Sequence, residues 1–159
     1  MNCNEYREKH ALYWNSGPVA GGYPAEQREW FGHQQSCPAC QEWARAEYCR
    51  YAGVNPAHHC CLWIAYYLAR PIETLHQGPN RVIDWVSHWD EYFIPIAYDG
   101  YKATRIFFCP WCGLKLRESK RELWFQKLYA LGYDDPSERD WHDLPAEYHS
   151  DKWWREGGA

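Results

Sequence analysis

The spacing of apolar and polar side chains predicts several helices. Trp124, Leu128 and Leu131 recur at the i, i+4 and i+7 positions that form one side of a helix. A Ser-Lys-Arg-Glu capping box beginning at Ser119 precedes them, and Gly132 follows as a stop. The pattern therefore predicts an amphipathic helix that places these three apolar residues in a core.

Three further helices are predicted upstream. Helix-forming residues end at Gly32 in one segment and at Gly53 in another, which places Cys37 and Cys40 in the turn between them. A third segment begins with Asn55 as a cap, has Pro at its first helical position, and contains an apolar run that stops before a second Pro. The predicted helical spans are residues 25–31, 41–51 and 56–69.

Alternating aromatic and β-branched residues predict strands at residues 81–86, 92–98 and 101–108. Asp99-Gly100 lies between the last two strands and is a strong hairpin signal. The final strand runs directly into Cys109, and Leu114 and Leu116 are expected on a short returning strand. The predicted fold class is α+β, with a small antiparallel sheet and zinc-ribbon-like knuckles packed against several helices.

The chain length of 159 residues fits one ordinary domain, or a small domain with an extension. We predict a helical N-terminal extension over residues 1–53 and an α+β domain over residues 54–159. The 11 Trp and 13 Tyr must fill much of the core and also reach the surface, where aromatic side chains usually contact a partner.

Charge and hydropathy narrow the class of protein. The net charge of −4 disfavours a general nucleic-acid binder, although a local basic cluster is present at Lys115, Arg117, Lys120 and Arg121 beside Trp111. The N-terminal residues are polar, and no apolar run is long enough to span a bilayer, so we expect a cytoplasmic protein with no membrane partner. Its eight Cys would then be reduced and available to metals.

Two copies of a Cys-Pro-x-Cys phrase carry the strongest chemical signal. Cys37 and Cys40 form one, and Cys109 and Cys112 form the other, which is followed by Gly113. Thiols at this spacing across a tight turn can share one tetrahedral ion, and zinc is the leading candidate, with iron as an alternative. We expect one zinc ion, or two.

The spacing leaves the ligand set open. The two phrases could pair as one four-thiolate site, or Cys60 and Cys61, with His59 beside them, could join Cys109 and Cys112. Adjacent helical residues point about 100° apart, so the second solution requires an irregular or newly started helix at Cys60 and Cys61. A third arrangement has a second ion. The second ion would take Cys37 and Cys40, with His33 or Cys49 as a further candidate ligand. Cys3 and Cys49 are otherwise expected to be plain thiols.

Motifs of enzymes are missing from the chain. The His-x-Glu of zinc deaminases, the His-Glu-x-x-His of metalloproteases, a phosphate-binding loop and a nucleophile elbow do not occur. A site closed by four protein ligands also has no position for a substrate. We therefore expect a protein that is not an enzyme.

Many short segments after residue 58 form a recognisable series. They are His59-Cys60-Cys61, Asp90-Glu91-Tyr92, Ile94-Pro95-Ile96, Asp99-Gly100, Phe108 to Leu116, Ser119-Lys120-Arg121, Trp124-Phe125, Leu131 to Pro136 and Ser150 to Trp154. In this order they resemble a family of small bacterial and phage proteins known only as a domain of unknown function. The resemblance covers about residues 59–155 and implies a metal-bound α+β unit with no established activity, and the N-terminal residues lie outside it.

These observations favour a zinc-stabilised module that binds a protein partner. Trp153 and Trp154 are expected to fold back onto the domain, with a weaker role for them and for Trp111 in partner binding. The acidic stretch from Asp134 to Asp151 would contribute to docking. The resemblance alone implies an inhibitor or adaptor in phage–host or inter-bacterial conflict, and a zinc-ribbon nucleic-acid binder is the alternative.

Overall fold

The computed structural model describes residues 1–13, 22–70, 81–96 and 102–156. These residues contain six α-helices, four short 3₁₀ turns and a three-stranded antiparallel sheet, which confirms the α+β class. The helices are α1 (Cys3–Tyr13), α2 (Ala25–Ser36), α3 (Pro38–Tyr51), α4 (Leu62–Ala69), α5 (Arg121–Ala130) and α6 (Lys152–Arg155). The strands are β1 (Asp84–Val86), β2 (Glu91–Pro95) and β3 (Ala103–Ile106).

Strand β2 is the centre of the sheet. Tyr92 in β2 pairs with Trp85 of β1 on one side and with Ile106 of β3 on the other. The connection from β1 to β2 is a single 3₁₀ turn that ends at Asp90, whose φ of 52° lies in the left-handed region that Asp tolerates better than most residues. The strands are shorter than predicted, and the Asp99-Gly100 turn lies outside the described residues.

Helix α4 packs on the sheet and forms the first core cluster. Ile64 of α4 has no exposed surface. The cluster joins this helix to Tyr92 of β2 and to Cys109, which follows β3. Apolar burial of this kind contributes roughly 25 cal/mol per Å² removed from water. The buried members are Ile64, Leu68, Ile83, Tyr92, Cys109 and Leu116.

The connection between helices α2 and α3 is shorter than the sequence predicts. Helix α2 continues through Gly32 to Ser36, and Pro38 already occupies the first turn of α3. Cys37 is the single residue between them, and its backbone N–H donates to the carbonyl of His33 (2.9 Å). Cys37 therefore lies in a turn as predicted, whereas Cys40 lies inside α3.

The predicted helix over residues 56–69 is divided in two. Asn55 caps its start as expected, since Asn55 Oδ1 accepts from the backbone N–H of Ala57 (3.1 Å), but only one 3₁₀ turn follows. His59 and Cys61 are extended, and α4 begins at Leu62. This interruption is the irregular backbone that two adjacent ligands would require.

Helix α5 and the C-terminal turns form a second core cluster. The indole N–H groups of Trp153 and Trp154 donate to the carbonyls of His88 (2.9 Å) and Ser87 (3.0 Å), so the C-terminal pair folds back onto the turn before β2. The N–H of Trp124 donates to the carbonyl of Tyr148 (3.0 Å). The buried members are Trp124, Leu128, Leu144, Tyr148, Trp153 and Trp154.

The expectation that Leu131 belongs to this core is wrong. Helix α5 ends at Ala130, and Leu131 is the C-cap residue with 55% of its surface exposed. Gly132 then adopts a φ of 86°, which turns the chain away before another helical turn can form. Among the described residues, no helix is long and apolar enough to cross a bilayer.

The contrast between Leu128 and Leu131 gives a matched test of the core. Leu128 has no exposed surface, so we expect Leu128→Ala to lower the free energy of unfolding by about 2–5 kcal/mol. Leu131→Ala should change it by no more than about 0.5 kcal/mol. Urea denaturation followed by tryptophan fluorescence measures both values, and equal losses would contradict this assignment of the core.

The burial of His88 should make the stability of the fold depend on pH. Burial lowers the pKa of His88 to about 4; the nearby Arg121 and His149 act in the same direction, and Glu91 acts in the opposite one. The His of an unfolded chain titrates near 6.5. Between these values the unfolded chain binds a proton that the folded protein excludes, so stability is complete above about pH 6.5 and falls toward pH 4. The pH slope of the free energy of unfolding should be shallower in His88→Gln, and an unchanged slope would contradict the prediction.

Candidate metal centres

Four thiols from two distant segments meet beside α4. Cys60 and Cys61 come from the extended residues that precede α4, and Cys109 and Cys112 come from the turn that follows β3. We call Cys60, Cys61, Cys109 and Cys112 the knuckle site. Their four sulfurs all lie within 4.8 Å of one another, and Cys109 is buried while Cys112 is exposed.

The sulfur separations fit a tetrahedral ion. Cys61 Sγ lies 3.7 Å from Cys109 Sγ, and Cys112 Sγ lies 3.7 Å from Cys60 Sγ. Four sulfurs at about 2.3 Å from a central Zn²⁺ form a tetrahedron whose edges are about 3.8 Å long. All eight cysteines of the chain are free thiols, so the knuckle site has the ligand number and the spacing of a structural zinc site.

Local backbone bonds explain how the second pair of thiols is positioned. The N–H of Cys109 donates to the carbonyl of Leu114, and the N–H of Gly113 donates to the carbonyl of Cys109 (2.9 Å each). Gly113 has a φ of 71°, which a residue with a side chain rarely adopts. Residues 107–116, which we call the knuckle, close with a bridge between Phe108 and Lys115.

The pKa values of the Cys60 and Cys112 thiols shift in opposite directions. Burial raises the pKa of Cys60, and the neighbouring Cys109 and Cys112 raise it further. The backbone N–H of Leu114 has the opposite effect at the exposed end of the site, where it lowers the pKa of Cys112. A divalent cation would remove the repulsion between thiolates, so this donor set is suited to binding a metal with release of protons.

A buried carboxylate ties the knuckle to the sheet. Asp90 is 1% exposed and accepts from the guanidinium of Arg117 (2.9 Å to Nη2) and from Trp85 Nε1 (3.0 Å). The same Arg117 nitrogen donates to the carbonyl of His58 (2.9 Å). Because a buried charge is costly unless it is paired, this arrangement fixes the segment after the knuckle next to the segment that carries Cys60.

Glu91 makes the equivalent connection to α5. Its carboxylate has no exposed surface and accepts from Arg121 Nη2 (2.9 Å), Arg105 Nη1 (3.0 Å) and the hydroxyl of Ser119 (2.7 Å). Ser119 Oγ also accepts from the backbone N–H of Arg121 (3.0 Å), but the N-cap of α5 is Lys120, one residue later than predicted, and it makes no side-chain cap bond. Sheet, knuckle and α5 are therefore joined by two adjacent acidic residues.

His59 lies next to the knuckle site but outside its ligand set. Its Nδ1 is 2.8 Å from the hydroxyl of Tyr92, and its ring packs edge-on against Trp85. Burial, with a contribution from Arg117, lowers the pKa of His59 to about 4, so the neutral ring is favoured. His59 therefore orients the segment before Cys60 from the side of the sheet.

A second group of donors lies in the helical N-terminal part. Cys3 is the first residue of α1, His33 lies in the last turn of α2, and Cys37 and Cys40 lie at the start of α3. We call these four residues the N-terminal site. Cys3 Sγ is 3.8 Å from Cys37 Sγ, and His33 Nε2 is 3.3 Å from Cys40 Sγ.

The structure separates the two Cys-Pro-x-Cys phrases. Cys37 and Cys40 lie with His33, and Cys109 and Cys112 lie with Cys60 and Cys61, so the arrangement that pairs the two phrases around one ion is not formed. Cys49 is fully buried and belongs to neither group, as expected for a plain thiol.

Sequence reasoning missed Cys3 as a candidate ligand. It lies 34 positions before Cys37, and a lone Cys near a chain end carries no spacing signal. The proximity arises only when α1 packs on α2 and α3 through Tyr6, which stacks on Trp30 at 5.0 Å between ring centres. Packing, and not a motif, assembles this donor set.

The three tryptophans predicted to contact a partner are in different environments. Trp153 and Trp154 are each 8% exposed and belong to the second core cluster. Trp111 is half-buried, and its ring stacks on Tyr67 at 4.7 Å. Their part in partner binding stays a prediction, and so does the division of the chain near residue 53.

Comparison with known proteins identifies a family whose function is unknown. The family model described as "Domain of unknown function (DUF6980)" matches residues 58–156. This match contains the whole knuckle site and excludes the whole N-terminal site. No curated protein and no solved structure matches the chain.

Metal removal tests the knuckle site. We expect a chelator to reduce the near-ultraviolet circular dichroism of the buried aromatic residues in the full chain, because Cys109 belongs to the first core cluster. Added Zn²⁺ should restore the full signal in the parent protein and in Cys49→Ala, but not in Cys109→Ala. Cys49 and Cys109 are similarly buried, which makes the pair a matched control. A spectrum that the chelator leaves unchanged would contradict a structural metal.

Proposed function

We propose that this chain, which belongs to the DUF6980 family of unknown function, is a zinc-stabilised module that binds a protein partner. The observation that carries the proposal is the convergence of Cys60, Cys61, Cys109 and Cys112 at tetrahedral spacing. Thiolate ligands in this number favour Zn²⁺ over hard cations such as Mg²⁺. The ion would join the segment before α4 to the knuckle.

The ligand set supports a structural role for the ion and a protein that is not an enzyme. Catalytic zinc sites have three protein ligands and a fourth position for water or substrate. The knuckle site offers four thiols, which fill a tetrahedral ion. Its position against Ile64 and Leu116 of the first core cluster also suits an ion that stabilises the fold.

The knuckle presents an apolar surface to solvent. Phe107, Phe108 and Leu114 are 58%, 61% and 57% exposed, and we call these three residues the knuckle surface. Large apolar side chains grouped on an exposed rigid turn are typical of protein contacts, where a few such anchors dominate affinity. Arg105 lies 4.9 Å from the Phe107 ring and supplies a polar rim.

Burial of the C-terminal tryptophans moves the proposed contact from Trp153 and Trp154 to the knuckle surface. Their rings fill the second core cluster and their N–H groups are already bonded. The narrower hypothesis of an inhibitor or adaptor in phage–host or inter-bacterial conflict rests on the family resemblance alone.

The basic cluster gives less support to nucleic-acid binding than its sequence suggests. Arg117 pairs with Asp90, and Arg121 pairs with Glu91. Lys115 lies 3.9 Å from Glu118, an exposed pair of small energetic effect. Because carboxylates lie beside three of the four basic residues, less positive charge is left to attract phosphates, and the nucleic-acid alternative is the weaker proposal.

A surface variant tests the proposal. We expect the full chain, with zinc bound, to retain a specific protein from cell extract, and Phe108→Ser/Leu114→Ser to lose it at least about tenfold because the apolar anchors are removed. Leu12→Ser is the matched control, since Leu12 is also highly exposed but lies on α1. Mass spectrometry of the captured proteins, followed by direct binding of the purified partner, measures the effect.

Two results would contradict the proposal. One is equal capture by the parent protein and the double serine variant, both with their metal bound. The other is retarded migration of a single-stranded or duplex oligonucleotide at low salt that disappears in Lys115→Gln/Lys120→Gln, which would favour the nucleic-acid alternative.

A further inference from the structure

We infer that Cys3, His33, Cys37 and Cys40 form a second zinc site, in which α1 supplies one thiolate. The site lies outside the part of the chain that the family description covers. It is independent of the knuckle site, since the two sets share no residue. The ion would fasten the first helix to the other two helices of the N-terminal part.

The geometry agrees with a tetrahedral site of three sulfurs and one nitrogen. The distance of 3.8 Å between Cys3 Sγ and Cys37 Sγ equals the sulfur–sulfur edge of about 3.8 Å expected around Zn²⁺. The distance of 3.3 Å from His33 Nε2 to Cys40 Sγ is close to the shorter nitrogen–sulfur edge of about 3.5 Å, because the Zn–N bond is about 2.0–2.1 Å. All four donor atoms lie within 4.8 Å of one another.

The fold holds each donor on a rigid element. Asn2 Oδ1 accepts from the backbone N–H of Glu5 (3.0 Å), which caps α1 and fixes the turn that carries Cys3. His33 lies one helical turn before the junction at Cys37, and Pro38 stiffens the start of α3. These constraints direct the donors to one point.

A buried phenol next to the four donors provides an independent indication of a bound group. Tyr6 has no exposed surface, its hydroxyl has no hydrogen-bond partner among the described residues, and its ring lies 5.3 Å from that of His33. A buried polar atom without a partner requires an explanation, and an ion held at the adjacent donors would supply one.

The donor set favours a metal over a redox dithiol. A Cys-x-x-Cys phrase at the start of a helix is also the arrangement of disulfide oxidoreductases, and Cys37 and Cys40 occupy that position. Such a site needs only two thiols, with one of them accessible. Here a third thiol and an imidazole converge on the pair, which is the composition of Cys₃His zinc sites.

Zinc analysis of the full chain tests the inference. We expect two Zn per chain in the parent protein and in Cys49→Ala, but one in Cys37→Ala/Cys40→Ala and one in Cys109→Ala. Cys3→Ala should lose its N-terminal zinc at a chelator concentration lower by at least about tenfold, because even outer partners of a ligand change affinity by about 10–100-fold. The knuckle zinc should be unaffected by Cys3→Ala, which separates failure of this site from failure of the proposed function.

A variant that preserves the number of ligands distinguishes the loss of a metal ligand from a general loss of the fold. His33→Cys should keep two Zn per chain, and its cobalt-substituted form should show stronger sulfur-to-cobalt charge-transfer absorption because a fourth thiolate is added. One zinc in both the parent protein and Cys37→Ala/Cys40→Ala would overturn the inference. Chelator resistance that Cys3→Ala leaves unchanged would exclude Cys3 as a ligand. Recovery of the parent protein with Cys37 and Cys40 joined as a disulfide and one zinc bound would favour the redox alternative.

Discussion

The meeting of Cys60 and Cys61 with Cys109 and Cys112 is the contact on which the rest of the domain depends. These pairs are about fifty residues apart in the chain, and the helix α4 and all three strands lie between them. Joining them at sulfur distances of 3.7 Å closes that segment into one unit. The two adjacent carboxylates extend the unit, because Asp90 binds Arg117 just after the knuckle and Glu91 binds Arg121 at the start of α5. Removal of a single partner from such a buried pair is costly, so metal site and sheet support each other.

Buried aromatic side chains form most of two of the core clusters, and their burial contributes much of the stability of the fold. Trp124, Trp153 and Trp154 fill the second core cluster, and each indole N–H is bonded to a backbone carbonyl. Tyr6 and Trp30 have the same role in the N-terminal part. Because the tryptophans of the second core cluster fix neighbouring turns through their indole N–H groups, the short helix α6 and the 3₁₀ turns around it acquire defined positions.

The two candidate metal sites follow one plan on different scaffolds. In each, a Cys-Pro-x-Cys phrase supplies two donors from a tight junction and a distant segment supplies the others. At the knuckle the junction is a turn after a strand, closed by Gly113, whereas at the N-terminal site it opens helix α3. The family description covers the first site alone, and the N-terminal helices that carry the second group of donors lie outside it.

The sequence by itself determined the fold class, the knuckle at Cys109 and Cys112, the cap at Asn55, and all but one of the thiols that metal chemistry would use. These depend on local spacing, which a reader of the chain can measure directly. The partners of each thiol were decided only by tertiary structure, since four residues are brought together by the packing of helices and strands that lie far apart in the chain. Cys3 had no spacing signal, the break at Cys60 and Cys61 interrupted a continuous apolar run, and Leu131 left the core because α5 ends one residue earlier. Contacts between distant segments set the positions of the cysteines, whereas the position of Leu131 follows from the local turn at Gly132.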